Sequence, residues 1–199
     1  MRQSAIILTI GTLVASVLPV TAQQAVQPVA RGSSVEHAQL GILEAVGVGS
    51  NRVIIALPGE VEAGAEDAAY ESYDTNDQTL VQGLGAITKV NSSLAPYEGN
   101  VVIVRYVTQG EHFLARRIDF TPDRAIHVSK GGIQHVDMQA RTILLRSSKG
   151  TEETFSLGTG PGAVIDSATG LRAFSDLRAG QQVTVYFGPG HRAQLLWLA

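Results

Sequence analysis

A chain of 199 residues, 44% hydrophobic and 17% charged, can bury a sizeable core and suits one domain or two small ones. It has no cysteine, which excludes disulfide frameworks, thiolate zinc sites, iron–sulfur clusters, cysteine nucleophiles and the acylated cysteine of a bacterial lipoprotein. With a net charge of −3 it has no global basic field, so nucleic acid is not an expected partner.

The chain opens on a secretion signal. Arg2 supplies a short positive region, residues 5–18 are uncharged and mostly apolar, and Val20-Thr21-Ala22 forms a small-residue cleavage site. Residues 1–22 are therefore read as a cleaved signal peptide, with the mature chain starting at Gln23. The apolar run is short for a membrane span, and no later stretch is long enough to cross as a helix. The expected destination is the bacterial periplasm, or beyond it. Residues 23–36 are polar, contain Pro28 and Gly32, and read as a flexible leader.

From there short β-branched runs alternate with Gly, Pro, Asn and Asp punctuation. Predicted strands cover 40–46, 52–57, 85–90, 100–107 and 112–120, then 126–136, 141–147, 152–157, 163–166, 182–187 and 192–198. No segment keeps a helical period for three turns. This spacing predicts an all-β protein, a sandwich or barrel. The two sets of strands also match each other in order. Gly41-Ile42 pairs with Gly132-Ile133, and Asn51-Arg52-Val53 with Ala140-Arg141-Thr142. Gly83-Leu84-Gly85 pairs with Gly160-Pro161-Gly162, and the leucine turn 94–99 with 177–180. The sequence is thus divided into a first unit, 37–120, a linker, 121–125, and a second unit, 126–199. Each unit is expected to be a small OB-like barrel or sandwich. In the strand at 100–107, Val102, Val104 and Tyr106 share one face; Ile103, Arg105 and Val107 share the other, which the second unit is expected to cover in part.

The second unit carries Gly132-Ile133-Gln134-His135-Val136-Asp137, then Arg141-Thr142-Ile143-Leu144-Leu145, then Leu177-Arg178-Ala179-Gly180 before Val183-Thr184-Val185. It resembles small barrel domains of bacterial exported proteins, which are mostly of unknown function and often occur in tandem. More distantly it is similar to the OB-type barrel of periplasmic copper chaperones. Those barrels place His and Met ligands and a Trp together on their middle strands. Here Met138 is the only methionine after the signal, and the one tryptophan, Trp197, lies on the last strand.

Residues 58–78 form an acidic insertion with no basic residue between Arg52 and Lys89, read as a long loop without counterpart in the second unit. Its Asp74-Thr75-Asn76-Asp77 lacks the spacing of a calcium loop.

Candidate chemistry is sparse. His135 and Asp137 stand two apart on one predicted strand, so they share a face, with His127 on the preceding segment. Imidazole and carboxylate suit zinc or copper(II), which makes His135, Asp137 and His127 the candidate metal ligands. No serine sits in a nucleophile elbow, and Gly158-Thr159-Gly160-Pro161-Gly162 lacks the Lys-Ser/Thr of a phosphate loop. No catalytic residue and no cofactor are assigned. The expectation is a non-catalytic exported binding or assembly module whose partner is another envelope protein; the alternatives are a metal-binding protein or a glycan-binding one.

Overall fold

The computed structural model describes residues 34–47, 51–58, 69–83, 92–158 and 163–199. The signal segment and most of the leader lie outside these residues, as do the predicted strand at 85–90 and the Gly160–Gly162 half of its repeat match.

The described strands form two sheets. The first holds β1 (Glu36–Gly47), β2 (Arg52–Ala56), β3 (Tyr70–Asp74), β4 (Leu80–Gln82), β5 (Val101–Gln109) and β6 (His112–Phe120). The second holds β7 (His127–Asp137), β8 (Thr142–Ser147), β9 (Glu152–Ser156), β10 (Val164–Ser167), β11 (Gln182–Gly188) and β12 (Arg192–Leu198). The protein is all-β, as the punctuation of the sequence predicts.

Strand order in the first sheet is β3-β2-β1-β5-β6-β4, and β3 also meets β6 at Asp74 and Leu114, which returns the sheet on itself. The second sheet reads β9-β8-β7-β11-β12-β10, and β9 meets β12 at Ser156 and Arg192. The two orders correspond strand for strand. So do the bulges. The β1–β2 ladder slips between Leu43 and Ala45, and the β7–β8 ladder between Ile133 and His135. The β5–β6 ladder slips between Arg105 and Tyr106, and the β11–β12 ladder between Tyr186 and Phe187. Bulges bend a strand and increase its twist, which is what curling a sheet into a barrel requires.

Two glycines allow close strand contact. A Cβ on Gly41 would lie 2.6 Å from the carbonyl oxygen of Ala56, and one on Gly131 would lie 2.2 Å from that of Arg146. The position matching Gly41 is therefore Gly131, not Gly132. The second sequence match is also displaced by one. Asn51 and Arg141 both have positive φ, at 49° and 53°, and each precedes a strand whose second residue, Val53 or Ile143, is fully buried. The leucine turns do align. Gly99 donates its N–H to the carbonyl of Leu43 at 2.7 Å, and Gly180 donates to that of Ile133 at 2.7 Å. Leu94 and Leu177 are buried beneath them.

Three readings need correction. β1 begins at Glu36, inside the segment read as leader, because Glu36 pairs with Val107 and its carbonyl accepts the N–H of Leu171. The insertion 58–78 is not all loop: Tyr70–Asp74 is β3, in the ring position of β9, while residues 59–68 lie outside the described set. That strand shows no alternation of apolar residues, since only Tyr73 is buried. Tyr73 packs its ring 5.1 Å from Tyr106 and 5.9 Å from Phe113. Finally, β4 was not anticipated; its three residues are too few to carry a pattern.

Each barrel has its own core. Leu43, Val53, Ile55, Tyr73, Val102 and Val104 build the first, and Ile133, Ile143, Leu145, Phe155, Val185 and Leu196 the second. Ser33–Ala199 is one compact unit. A third cluster joins the barrels within it: Ala38, Leu40, Val101 and Ile103 close on Val164 and Leu195. This explains why β5 is apolar on both faces: Val102 and Val104 point into their own barrel, while Val101 and Ile103 meet the neighbour. Asp166, fully buried on β10, fastens the same seam. Its Oδ2 accepts the N–H of Ala38 at 2.7 Å, its Oδ1 accepts that of Ser167 at 2.7 Å, and His37 Nδ1 lies 3.4 Å from Oδ1.

A candidate cleft between the barrels

The ends of β4, β5 and β6 on one side, and of β10 and β12 on the other, leave a cleft of about 410 Å³. That is within the range of small-ligand sites, roughly 300–1,000 Å³. Apolar side chains including Ile103, Leu157, Val164 and Ala193 line much of it. Phe120 is its one aromatic, and only 8% of that residue is exposed.

The polar groups come from four strands: β4, β5 and β6 of the first sheet and β12 of the second. Asp119 on β6 holds two arginines. Arg117 Nε donates to its Oδ1 at 2.6 Å, and Arg117 Nη2 donates to Gln82 Oε1 at 2.6 Å. Arg105 Nε stands 3.4 Å from Asp119 Oδ2, an ion pair without hydrogen-bond geometry, so both of these buried atoms lack a hydrogen-bond partner. On the other wall, Gln194 Nε2 donates to Asp123 Oδ2 at 2.7 Å. An ionised carboxylate only accepts, so this bond fixes which end of the amide is nitrogen. The remaining atom, Gln194 Oε1, is buried on a residue only 6% exposed and has no partner. Buried polar atoms are nearly always paired, because leaving one unpaired costs about 1–3 kcal/mol. Arg105 Nε and Asp119 Oδ2 answer each other as an ion pair beneath the cleft lining, which leaves Gln194 Oε1 as the buried atom there with no partner. With Arg192 exposed at the rim, the cleft's lining holds Arg105 and Arg192 against Asp119, a positive balance in a chain of net charge −3.

The metal ligands inferred from sequence do not assemble. His127 and His135 occupy opposite ends of β7, eight residues apart, which at about 3.3 Å per residue is roughly 25 Å. His127 instead lies with its ring 5.4 Å from Phe187. His135 is exposed, and Asp137 Oδ1 caps the following turn by accepting the N–H groups of Gln139 and Ala140 at 2.9 and 2.8 Å. Among the described residues no group of three or more His, Asp or Glu side chains could hold a metal ion.

Two tyrosines near the barrel seam are perturbed. Burial raises the Tyr73 hydroxyl well above its usual range, reinforced by its hydrogen bond to Glu71. Burial, followed by the charges of Glu71 and Asp166, pushes Tyr106 up to about 12.

No family model matches the chain, and no curated protein matches it. Among solved structures, the crystal structure of Ag(I)CusF is similar at 15% identity, over 43% of this chain and 97% of that one, with a TM-score of 0.29.

Sequence reasoning passed over Arg105, Asp119 and Gln194. A signal was present: Arg105 and Gln194 are single polar residues inside the apolar runs Val101–Val107 and Ala193–Leu198. A lone polar residue in a buried strand needs a partner, and the sequence does not show where it would be.

Proposed function

We propose that this protein is a non-catalytic, exported binding or assembly module, and that the cleft between its two barrels is the binding site. The observation that carries the reading is a cleft of about 410 Å³ at the seam, lined by apolar side chains together with Arg105, Asp119 and Arg192. Arg105 and Asp119 hold each other in an ion pair in the cleft's wall, while Arg192 is exposed at its rim. The n-region, apolar run and cleavage site of residues 1–22 support export to the periplasm, where the partner would be another envelope protein. The matching strand orders, bulges and close-packed glycines support reading the barrels as tandem copies of one unit whose seam created the site.

Site-specific photo-crosslinking in whole cells tests this. A crosslinker at Arg192, on the cleft rim, should yield one defined adduct that Arg105→Met diminishes. A crosslinker at exposed Met138 should not yield it. The same adducts from both positions would remove the cleft as the site.

A further inference from the structure

We infer that the edge of β7 at His127–Lys130 binds an extended segment of a partner polypeptide, one that carries a carboxylate beside an apolar residue. The first barrel shows the matching edge already filled. In antiparallel pairing, alternate residues turn their backbone groups away from the partner strand. Leu43 donates its N–H to the carbonyl of Asn100 and Ile133 to that of Gln181, both at 2.9 Å, which fixes the alternation in β1 and in β7. Five residues before Leu43 and Ile133 stand Ala38 and Val128, so their N–H groups point away from β5 and β11. On that far side β2 pairs with β1 only from Ile42, and β8 with β7 only from Gly131. The second barrel holds the open edge of β1. Asp166 Oδ2 accepts the N–H of Ala38 at 2.7 Å, and the carbonyl of Glu36 accepts the N–H of Leu171 at 2.9 Å. Among the described residues no strand pairs with the matching edge of β7. Ala38 is 1% exposed and Val128 40%, and His127 and Lys130 beside Val128 are exposed as well.

The chemistry of the occupant follows from what fills the first edge and from what differs at the second. The β7 edge offers the N–H of Val128 with basic side chains, His127 and Lys130, on either side of it. That combination calls for a negatively charged acceptor, as Asp166 is for Ala38. A lysine on an open edge opposes pairing with a basic strand and favours an acidic one. Val128, in place of Ala38, offers an apolar contact of the kind Val164 makes at the seam. The occupant is a segment and not a further barrel: Leu40, Val101 and Ile103, which bury the docking face of the first barrel, are matched in the second by Lys130, Gln182 and Thr184. Nor is it β10 of a second copy, whose Asp166 is fully buried at its own seam. Residues 127–130 do not line the cleft, so the inference stands apart from the reading of that site.

The test uses the intact mature chain and a peptide of residues 163–172, acetylated and amidated at its ends. This is the segment that fills the first edge, and the intact chain already occupies that place, which leaves the β7 edge for the peptide. Backbone amide shifts are followed by NMR during titration, with the Asp166→Asn peptide alongside, so the comparison does not depend on whether a protein variant folds. The parent peptide should shift residues 127–130 and slow hydrogen exchange of the Val128 amide. The Asp166→Asn peptide should bind about tenfold more weakly, through loss of one charge-assisted hydrogen bond. Lys130→Glu in the protein should weaken the parent peptide about two- to fivefold. Equal binding of the two peptides would overturn the carboxylate assignment. Shifts centred on residues 36–40 would mean that the peptide displaces β10, and would overturn the choice of edge. Shifts at 127–130 that grow with protein concentration in the absence of peptide would make a second copy the occupant and overturn the partner assignment. No shift at 127–130 with millimolar peptide would overturn the inference as a whole.

Discussion

Asp166 should contribute more to stability than any exposed carboxylate, and Asp166→Ala measures it. The substitution removes the acceptor of two backbone N–H groups, those of Ala38 and Ser167, each at 2.7 Å and both buried. Hydrogen bonds to a charged group contribute about 1.5–3 kcal/mol each, and the Ala38 N–H would be left unpaired at the seam. Against this, the variant no longer desolvates a carboxylate, which returns part of the loss. The balance is a destabilisation of about 2–4 kcal/mol. Asp137 is the internal control: its Oδ1 also accepts two backbone N–H groups, at 2.9 and 2.8 Å, but in an exposed turn. Asp137→Ala should cost under about 1 kcal/mol, because water replaces the lost acceptor. Urea unfolding of both variants at neutral pH gives the comparison, and hydrogen exchange at Ala38 reports the seam directly. If Asp166→Ala costs no more than Asp137→Ala, or Ala38 stays protected, burial does not strengthen this contact and the reasoning fails.

Other outcomes follow from the same geometry. Gly131→Ala forces a Cβ to within 2.2 Å of the Arg146 carbonyl oxygen and should destabilise the second barrel by about 2 kcal/mol or more, read from its urea midpoint. Leu195→Ala opens a cavity in the inter-barrel cluster and should cost about 2–4 kcal/mol, with faster exchange of amides in both barrels. In base, Tyr106 ionises near 10 when unfolded but only at about 12 when folded. The unfolded chain then loses its proton first, so stability is complete below pH 10 and declines from pH 10 towards 12. Tyr106→Phe should make that decline shallower; an unchanged alkaline slope would count against the shift. Zinc or copper(II) added to the mature chain should show no joint dependence on His127 and His135, because they lie at opposite ends of β7. A melting-temperature response lost equally in His127→Ala and His135→Ala would contradict that placement.

The legible features were those set by local chemistry. The β-branched run Val101-Val102-Ile103-Val104, glycines at strand contacts and turn residues at regular intervals specify strands and an all-β fold without knowledge of neighbours. Even the two-faced apolarity of β5 announced a second covering surface, and the structure supplies it in Val164 and Leu195. The local pattern blurred where one residue does the work. Tyr73 alone anchors β3 in an acidic run, so charge concealed a strand. The pattern also left open how far His127 lies from His135, and an extended strand carries the two apart. Only the tertiary structure decided the cleft: Arg105 and Asp119 pair across the β5–β6 hairpin, and the docking of two closed sheets puts Gln194 in the same lining. Strand patterns record which side of a sheet a residue faces. They do not record which other sheet lies opposite, and a site built on a seam depends on that alone.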